Sequence, residues 1–238
     1  MIYIISDIHG QYRRYQKMLE KIGFSDEDRL YVLGDVIDRG PESFEILFDL
    51  MERENVELFL GNHEHMMLTY LEGSDRVSWF FDANGGRITW EKFMELDEET
   101  KNKVLDYLYD TTVMKNLDIN GHRYILSHTS ALIDHEDMYT KDYKDDLMEI
   151  QGIVWNQYPF DIDSLSYYDK TGEEITLISG HIITRRLHDS DDVFIKDFKN
   201  GYTWMDIDCG CAMGDDLGQL ACIAINDDGE IEETYYVE

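Results

Sequence analysis

Cations are scarce in this chain. Of 238 residues only 21 are Lys or Arg, against 51 Asp or Glu, a formal charge of −30. Such a surface repels nucleic-acid phosphates and anionic lipid, which argues against a nucleic-acid or membrane partner. It also repels phosphorylated substrates at long range. Any phosphate chemistry must then rest on a local positive centre, either metal ions or a few arginines. Proline is scarcer still, at two residues, and no Pro/Gly/Ser-rich linker divides the chain, so residues 1–238 read as a single domain. Three cysteines, Cys209, Cys211 and Cys222, give no disulfide framework and suit a reducing cytoplasm. Cys209 and Cys211 have no second Cys/His pair at zinc-finger spacing and read as small buried apolar residues. No apolar run approaches the roughly 20 residues of a membrane span. The opening MIYIISDIHG does not read as a signal peptide, so a cytoplasmic location is expected.

What is present suits a globular core, with 43% hydrophobic residues and 13% aromatic ones. The first third alternates strand and helix. Apolar runs at Ile2–Ile5, Leu30–Leu33 and Val56–Leu60 predict buried strands. Tyr12, Tyr15, Leu19 and Ile22 follow a helical period, Pro41 opens a second helix, and a third runs from about Glu64 to Leu71. This rhythm implies βαβ units and a largely parallel sheet. Residues 72–110 read as a helical, cap-like insertion. Further strands are expected at Tyr124–Ser127 after an Asn120-Gly121 turn, at Thr176–Ser179 and at Tyr202–Ile207. Leu220–Ile225 and Tyr235–Val237 should pair as a hairpin through Asp227-Asp228-Gly229. A β-rich second half after a βαβ first half suggests an α/β fold of two packed sheets with helices outside.

Polar clusters follow the first three predicted strands: Asp7-Ile8-His9-Gly10, Gly34-Asp35-Val36-Ile37-Asp38-Arg39-Gly40 and Gly61-Asn62-His63-Glu64. Asp7, Asp35 and Asn62 stand 28 and 27 positions apart, about one βαβ unit each. Strand ends so spaced lie side by side at the carboxyl edge of a parallel sheet, where open α/β sheets bind ligands. Two histidines close later strands, His128 after Ser127 and His181 after Ser179-Gly180. Each cluster is an ordinary turn by itself. Together they place mixed oxygen and nitrogen donors at one edge, a set suited to Mn, Fe or Zn.

The segments SDIHG, GDVIDRG, GNHE, SHT and SGH resemble the signature of the phosphoprotein phosphatase family of calcineurin-like metallophosphoesterases. Asn84-Gly85-Gly86 with Trp90, and Asp206 to Gly214 with Leu220, are similar to its bacterial and phage branch. The resemblance runs from Ile2 to about Ile225. It implies a β-sandwich core flanked by helices, a four-layer αββα arrangement. It also implies two divalent metal ions, with manganese expected and iron or zinc as alternatives. Asp7, His9 and Asp35 would hold the first ion; Asp35, Asn62, His128 and His181 would hold the second. Hydroxide bridging the ions would attack phosphorus directly. His63, oriented by Asp38, would protonate the leaving oxygen, and Arg39 would bind the phosphoryl group. A serine/threonine protein phosphatase acting on a phosphoprotein or small phosphoester is the leading expectation. A symmetrical bis(5'-nucleosyl)-tetraphosphate hydrolase is the alternative, and a non-catalytic phospho-ligand binding protein a third reading.

The chain departs from that pattern in places. Ser6 replaces the usual Gly, Thr129-Ser130 replaces a small pair after the histidine, and Ile182 replaces Thr. A second phosphate-binding arginine usually follows a tryptophan, yet Trp155 is followed by Asn156-Gln157-Tyr158. Arg185 or Arg186 is therefore expected to substitute for it. Arg13 and Arg14 read as helix-surface residues, and His65, His122, His135 and His188 as surface or structural ones.

Overall fold

The computed structural model describes residues 1–74, 77–130, 136–156, 174–198, 201–214 and 217–238. A first sheet carries β1 (Ile2–Ile5), β2 (Arg29–Val32), β3 (Val56–Leu58), β10 (Leu220–Ile225) and β11 (Ile231–Val237), in the order β11-β10-β1-β2-β3. β1, β2 and β3 run parallel, and β10 and β11 add an antiparallel hairpin. A second sheet has the order β6-β4-β5-β7-β9-β8. It comprises β4 (Thr112–Ile119), β5 (His122–Ser127), β6 (Met138–Tyr139), β7 (Ile175–Ser179), β8 (Phe194–Phe198) and β9 (Tyr202–Asp206). Here β5, β7 and β9 are parallel.

Side-chain alternation along each strand separates the layers. On β1, Ile4 joins Tyr31, Phe59, Leu126, Ile178 and Ile223 between the sheets. Its neighbours Tyr3 and Ile5 turn to the helix side, where α1 (Tyr12–Ile22), α2 (Ser43–Met51) and α3 (Asn62–Leu71) pack. Leu177 and Trp204 face outward from the second sheet into a third cluster. This is the αββα sandwich, and its two sheets meet at a seam. There Phe59 bridges to Thr112, and the Leu60 N–H donates to the Thr112 carbonyl at 2.7 Å.

Some elements differ from expectation. β4 and β8 were not legible because polar residues interrupt both, Lys115, Asn116 and Asp118 in one and Lys196 and Asp197 in the other. β3 stops at Leu58, since Phe59 and Leu60 leave it for the seam. Residues 72–110 supply α4 (Gly86–Glu95) and α5 (Glu98–Tyr109), whose Phe93, Val104 and Leu108 enter the same core cluster as α1–α3. Arg14 is a correction: it is buried, and its guanidinium donates to the Cys211 carbonyl rather than facing solvent.

Candidate functional site

β1, β2, β3, β5, β7 and β9 all end at one edge of the sandwich, and every candidate ligand lies just past such an end. Among the described residues, seven non-glycine positions have positive φ. Asp7, His9, Asp35, Asp38, Arg39 and His181 are six of them, at φ between 47° and 74°; the seventh is the hairpin residue Asn120. Left-handed backbone is costly for such residues and persists only where the surroundings impose it. The loops are therefore bent to aim side chains rather than to shorten connections.

Asp35 is the hub. Its Oδ2 lies 3.6 Å from His9 Nε2 and 3.8 Å from His63 Nε2. Its Oδ1 lies 3.5 Å from His128 Nε2 and accepts the His63 backbone N–H at 2.9 Å. Two groupings follow, His9–Asp35–His63 and Asp35–His128–His181, each with donor atoms mutually within 4.8 Å. Asn62, the first residue of α3, points Oδ1 at His181 Nδ1 (2.8 Å) and His128 Nε2 (3.0 Å). Asp7 stands beside the groupings, its Oδ2 accepting the His181 N–H at 3.0 Å and the Ser6 hydroxyl. Ser6 thus gives the aspartate a hydrogen bond that glycine could not. Room for it comes from Gly180, where any Cβ would strike the Ser6 and Asp7 side chains.

The donors fit divalent cations. The Ile37 carbonyl holds His9 Nδ1–H (2.8 Å) and the Leu33 carbonyl holds His128 Nδ1–H (2.7 Å), so each ring presents an Nε2 lone pair. His9 Nε2 is buried without a hydrogen-bond partner. His128 Nε2 and Asn62 Oδ1 face each other as two acceptors, an arrangement that a cation reconciles. Burial, then neighbouring positive groups, pushes the pKa values of His9 and His63 well down; burial, then His181, does so for His128. His181 falls to about 4 through burial and the nearby Arg39 and Arg186. His9, His128 and His181 are therefore neutral and free to ligate. Burial raises Asp7 and Asp35 well above the ordinary carboxylate range, and the negative charges of Asp208 (on Asp7) and of Asp7 and Glu64 (on Asp35) add to it. Buried carboxylates crowded this way call for a cationic counter-charge.

His63 is built differently. Its Nδ1 is 2.7 Å from Asp38 Oδ2, and its Nε2 lies 3.3 Å from the Arg39 guanidinium. Arg39 reaches from the same loop into a cavity of about 240 Å³ that His9, Ala83, Arg186, Asp208 and Met213 also line.

Residues 1–202 match the sequence profile of the family described as calcineurin-like phosphoesterase. The chain belongs to the calcineurin-like phosphoesterases. Curated relatives include a symmetrical bis(5'-nucleosyl)-tetraphosphatase of Buchnera aphidicola subsp. Schizaphis graminum, 33% identical over 113 residues, which are 42% of this chain and 41% of that protein. Another is serine/threonine-protein phosphatase 2 of Escherichia coli K12, 36% identical over 108 residues, 45% of this chain and 46% of that protein. The chain thus spans less than half the length of the curated relatives it matches. Among solved structures, a metallophosphoesterase from Sphaerobacter thermophilus has the same fold, with TM-score 0.59 and 18% identity over 100% of this chain and 88% of the other.

Within this calcineurin-like site the two candidate arginines separate. Arg185 is exposed and forks onto the Asp191 carboxylate. Arg186 lines the cavity with Arg39. His65 is structural, its Nε2 held by the Leu147 carbonyl at 2.8 Å; His135 lies outside the described residues. Sequence reasoning gave no role to Glu64, yet its buried carboxylate gathers four backbone N–H groups. Oε2 takes those of Asp35 (2.9 Å) and Gly61 (3.0 Å), and Oε1 those of Val36 (2.9 Å) and Ile37 (3.2 Å). It ties two ligand loops together. Asp206 and Asp208 were also missed as site residues, though the segment Asp206 to Gly214 carried the resemblance. Both are buried, and Asp208 faces the cavity.

Proposed function

We propose that the chain hydrolyses phosphoesters with two divalent cations, and that its substrate is a dinucleoside polyphosphate cleaved symmetrically. The sharing of one carboxylate, Asp35, between two ligand groupings carries the hydrolase reading. The substrate reading draws on the tetraphosphatase relative. Asp7, His9 and Asp35 would hold one ion, and Asp35, Asn62, His128 and His181 the other. When bound, the ions supply acidified water and neutralise phosphoryl charge. Arg39 offers a planar fork to the phosphoryl oxygens, and Arg186 a second positive group across the same cavity. A phosphoryl group that engages Arg39 releases His63 Nε2, which then serves the leaving oxygen while Asp38 fixes the ring. A polyphosphate extends charge over several groups and so uses both arginines at once.

A protein phosphatase is the second reading, favoured by the Escherichia coli relative. Turnover of diadenosine tetraphosphate, a phosphothreonine peptide and p-nitrophenyl phosphate with added manganese separates them. Preference for the dinucleotide, with ADP as the product, is expected. Preference for the peptide would move the assignment to the protein phosphatase. Absent turnover on all three would leave a phospho-ligand binding protein, and turnover that needs no metal would overturn the two-cation reading.

A further inference from the structure

The Asp38 carboxylate accepts from a second buried donor that the hydrolytic reading does not use. The Trp79 indole N–H donates to Asp38 Oδ2 at 2.8 Å, the same oxygen that His63 Nδ1 meets at 2.7 Å. The other oxygen, Oδ1, is buried with no hydrogen-bond partner. A free carboxylate would rotate to share its partners between both oxygens. This one is held with both donors on Oδ2. The backbone N–H of Asp38 is fixed as well, by Thr89 Oγ1 (3.0 Å) and Ser43 Oγ (3.1 Å). Trp79 is fully buried and wedged among Tyr70, Phe80 and Trp90. Gly86 opens α4 directly against it: a Cβ there would stand 2.4 Å from the Trp79 carbonyl oxygen and 2.5 Å from the indole Cδ1 and Nε1. The glycine lets the indole reach the carboxylate.

We infer that Trp79 is a positioning residue for His63, holding the Asp38 carboxylate turned so that Oδ2 faces His63 Nδ1 and His63 Nε2 is aimed at the leaving oxygen. This rests on the hydrolase reading above. In that reaction water supplies the new bond to phosphorus. For that step His63 must be the imidazolium, Nδ1–H held by Asp38: the ester oxygen takes the Nε2 proton as its own bond to phosphorus breaks, leaving neutral imidazole, and the proton lost by water restores the imidazolium. Aiming matters most when the leaving oxygen is basic, because a good leaving group departs without proton donation.

Trp79→Phe removes the N–H and keeps an aromatic filler. The variant should lose about tenfold in kcat on an alkyl phosphate, with KM little changed, and under about threefold on p-nitrophenyl phosphate. A purely structural role would lower both substrates equally, and equal losses would overturn the inference. Gly86→Ala, whose Cβ crowds both the Trp79 carbonyl and the indole and so displaces the N–H from Asp38 without deleting it, should show the same selectivity and decides the matter if Trp79→Phe does not fold. A readout independent of turnover is the His63 Nδ1–H proton resonance. Wild-type protein should show it far downfield, and Trp79→Phe or Gly86→Ala should move it upfield. An unmoved resonance would also overturn the inference. Inactive wild-type protein with a resonance that moves would instead retire the hydrolase reading and keep the Trp79–Asp38–His63 arrangement.

Discussion

Two groups of carboxylates divide the molecule. At the carboxyl edge of the sheets Asp7, Asp35 and Asp206 are buried, and burial drives their pKa values up. At the opposite edge and in the seam, Asp49 and Glu57 are partly buried too, yet each meets a cation. Arg53 reaches Asp49 at 2.7 Å, and Arg29 and Lys115 reach Glu57 at 2.7 and 2.9 Å. Burial pushes their pKa values up, but the hydrogen bonds outweigh it and bring both below the ordinary range. The larger cavity, about 810 Å³, lies among the paired acids, beside Asp28, Arg29, Asp49 and Arg53. The site cavity is less than a third of that size. Volume therefore does not mark the chemistry here. Buried carboxylate without a Lys or Arg salt bridge among the described residues, on backbone at positive φ for Asp7 and Asp35, does mark it.

The harshest way to break this comparison is to neutralise one acid from each group. Asp35→Asn should lower turnover by ~10³-fold, because both ligand groupings lose their common member. Asp49→Asn should leave kcat and KM unchanged and cost about 1 kcal/mol or less in stability. Equal effects on turnover would erase the distinction. Metal removal is the next test. Manganese added to chelator-treated protein should raise Tm, with stabilisation of about 2.7 kcal/mol at a hundredfold excess over Kd. Asp49→Asn should keep that rise and Asp35→Asn should lose most of it. A rise that survives Asp35→Asn would place the ions elsewhere.

The unpaired group was the more legible in sequence. Asp7 with His9, Asp35 with Asp38 and Arg39, and Asn62 with His63 are neighbours on short loops, so motif and strand end coincide. His128 and His181 were legible because each closes an apolar run. The positive φ values were invisible, since Asp, His and Arg carry no mark of left-handed backbone as glycine does. Glu64 and Trp79 were hidden for another reason. Their partners Asp35 and Asp38 lie far off in sequence and converge only when β3 and residues 72–110 close over β2. Nor could the chain choose between Arg185 and Arg186, adjacent residues that a 3-10 turn at Thr184–Arg186 sends to Asp191 and to the cavity. Arg14 was misread because a basic residue beside Tyr15 on α1 resembles a solvated flank until the Cys211 carbonyl meets it.

Glu64 sharpens the comparison, because it is buried and, among the described residues, unpaired by a cation yet satisfied by backbone. Glu64→Gln keeps one acceptor and turns an amide N–H₂ toward two backbone N–H groups. Stability should fall by about 2 kcal/mol, the cost of buried donors left facing a donor. Manganese affinity should fall about 10-fold or more as Asp35 loses its support. Calorimetric titration and thermal unfolding of the one variant check both. A normal affinity with lowered Tm would confine Glu64 to folding.

The smallest expected effect concerns Glu57, and it tests the sign of the difference. Its carboxylate accepts from Thr112 Oγ1 (2.6 Å), Lys115 (2.9 Å) and Arg29 (2.7 Å), joining β3 of one sheet to β4 of the other. Its folded pKa lies below the ordinary 4.5. The stability it contributes is therefore fully present above the unfolded value and is lost as pH falls through the folded one. Asp7 and Asp35 in metal-free protein carry the opposite sign. Their folded values are raised, so their contribution is present at low pH and is lost as pH rises through those values. Glu57→Gln should cost about 1 kcal/mol at pH 7 and flatten the fall of Tm below pH 4.5, leaving turnover unchanged. Tm curves that stay parallel down to pH 3 would show that the seam does not depend on this charge. The paired acids would then be surface chemistry rather than the clamp between the sheets that holds the two halves of the metal site in register.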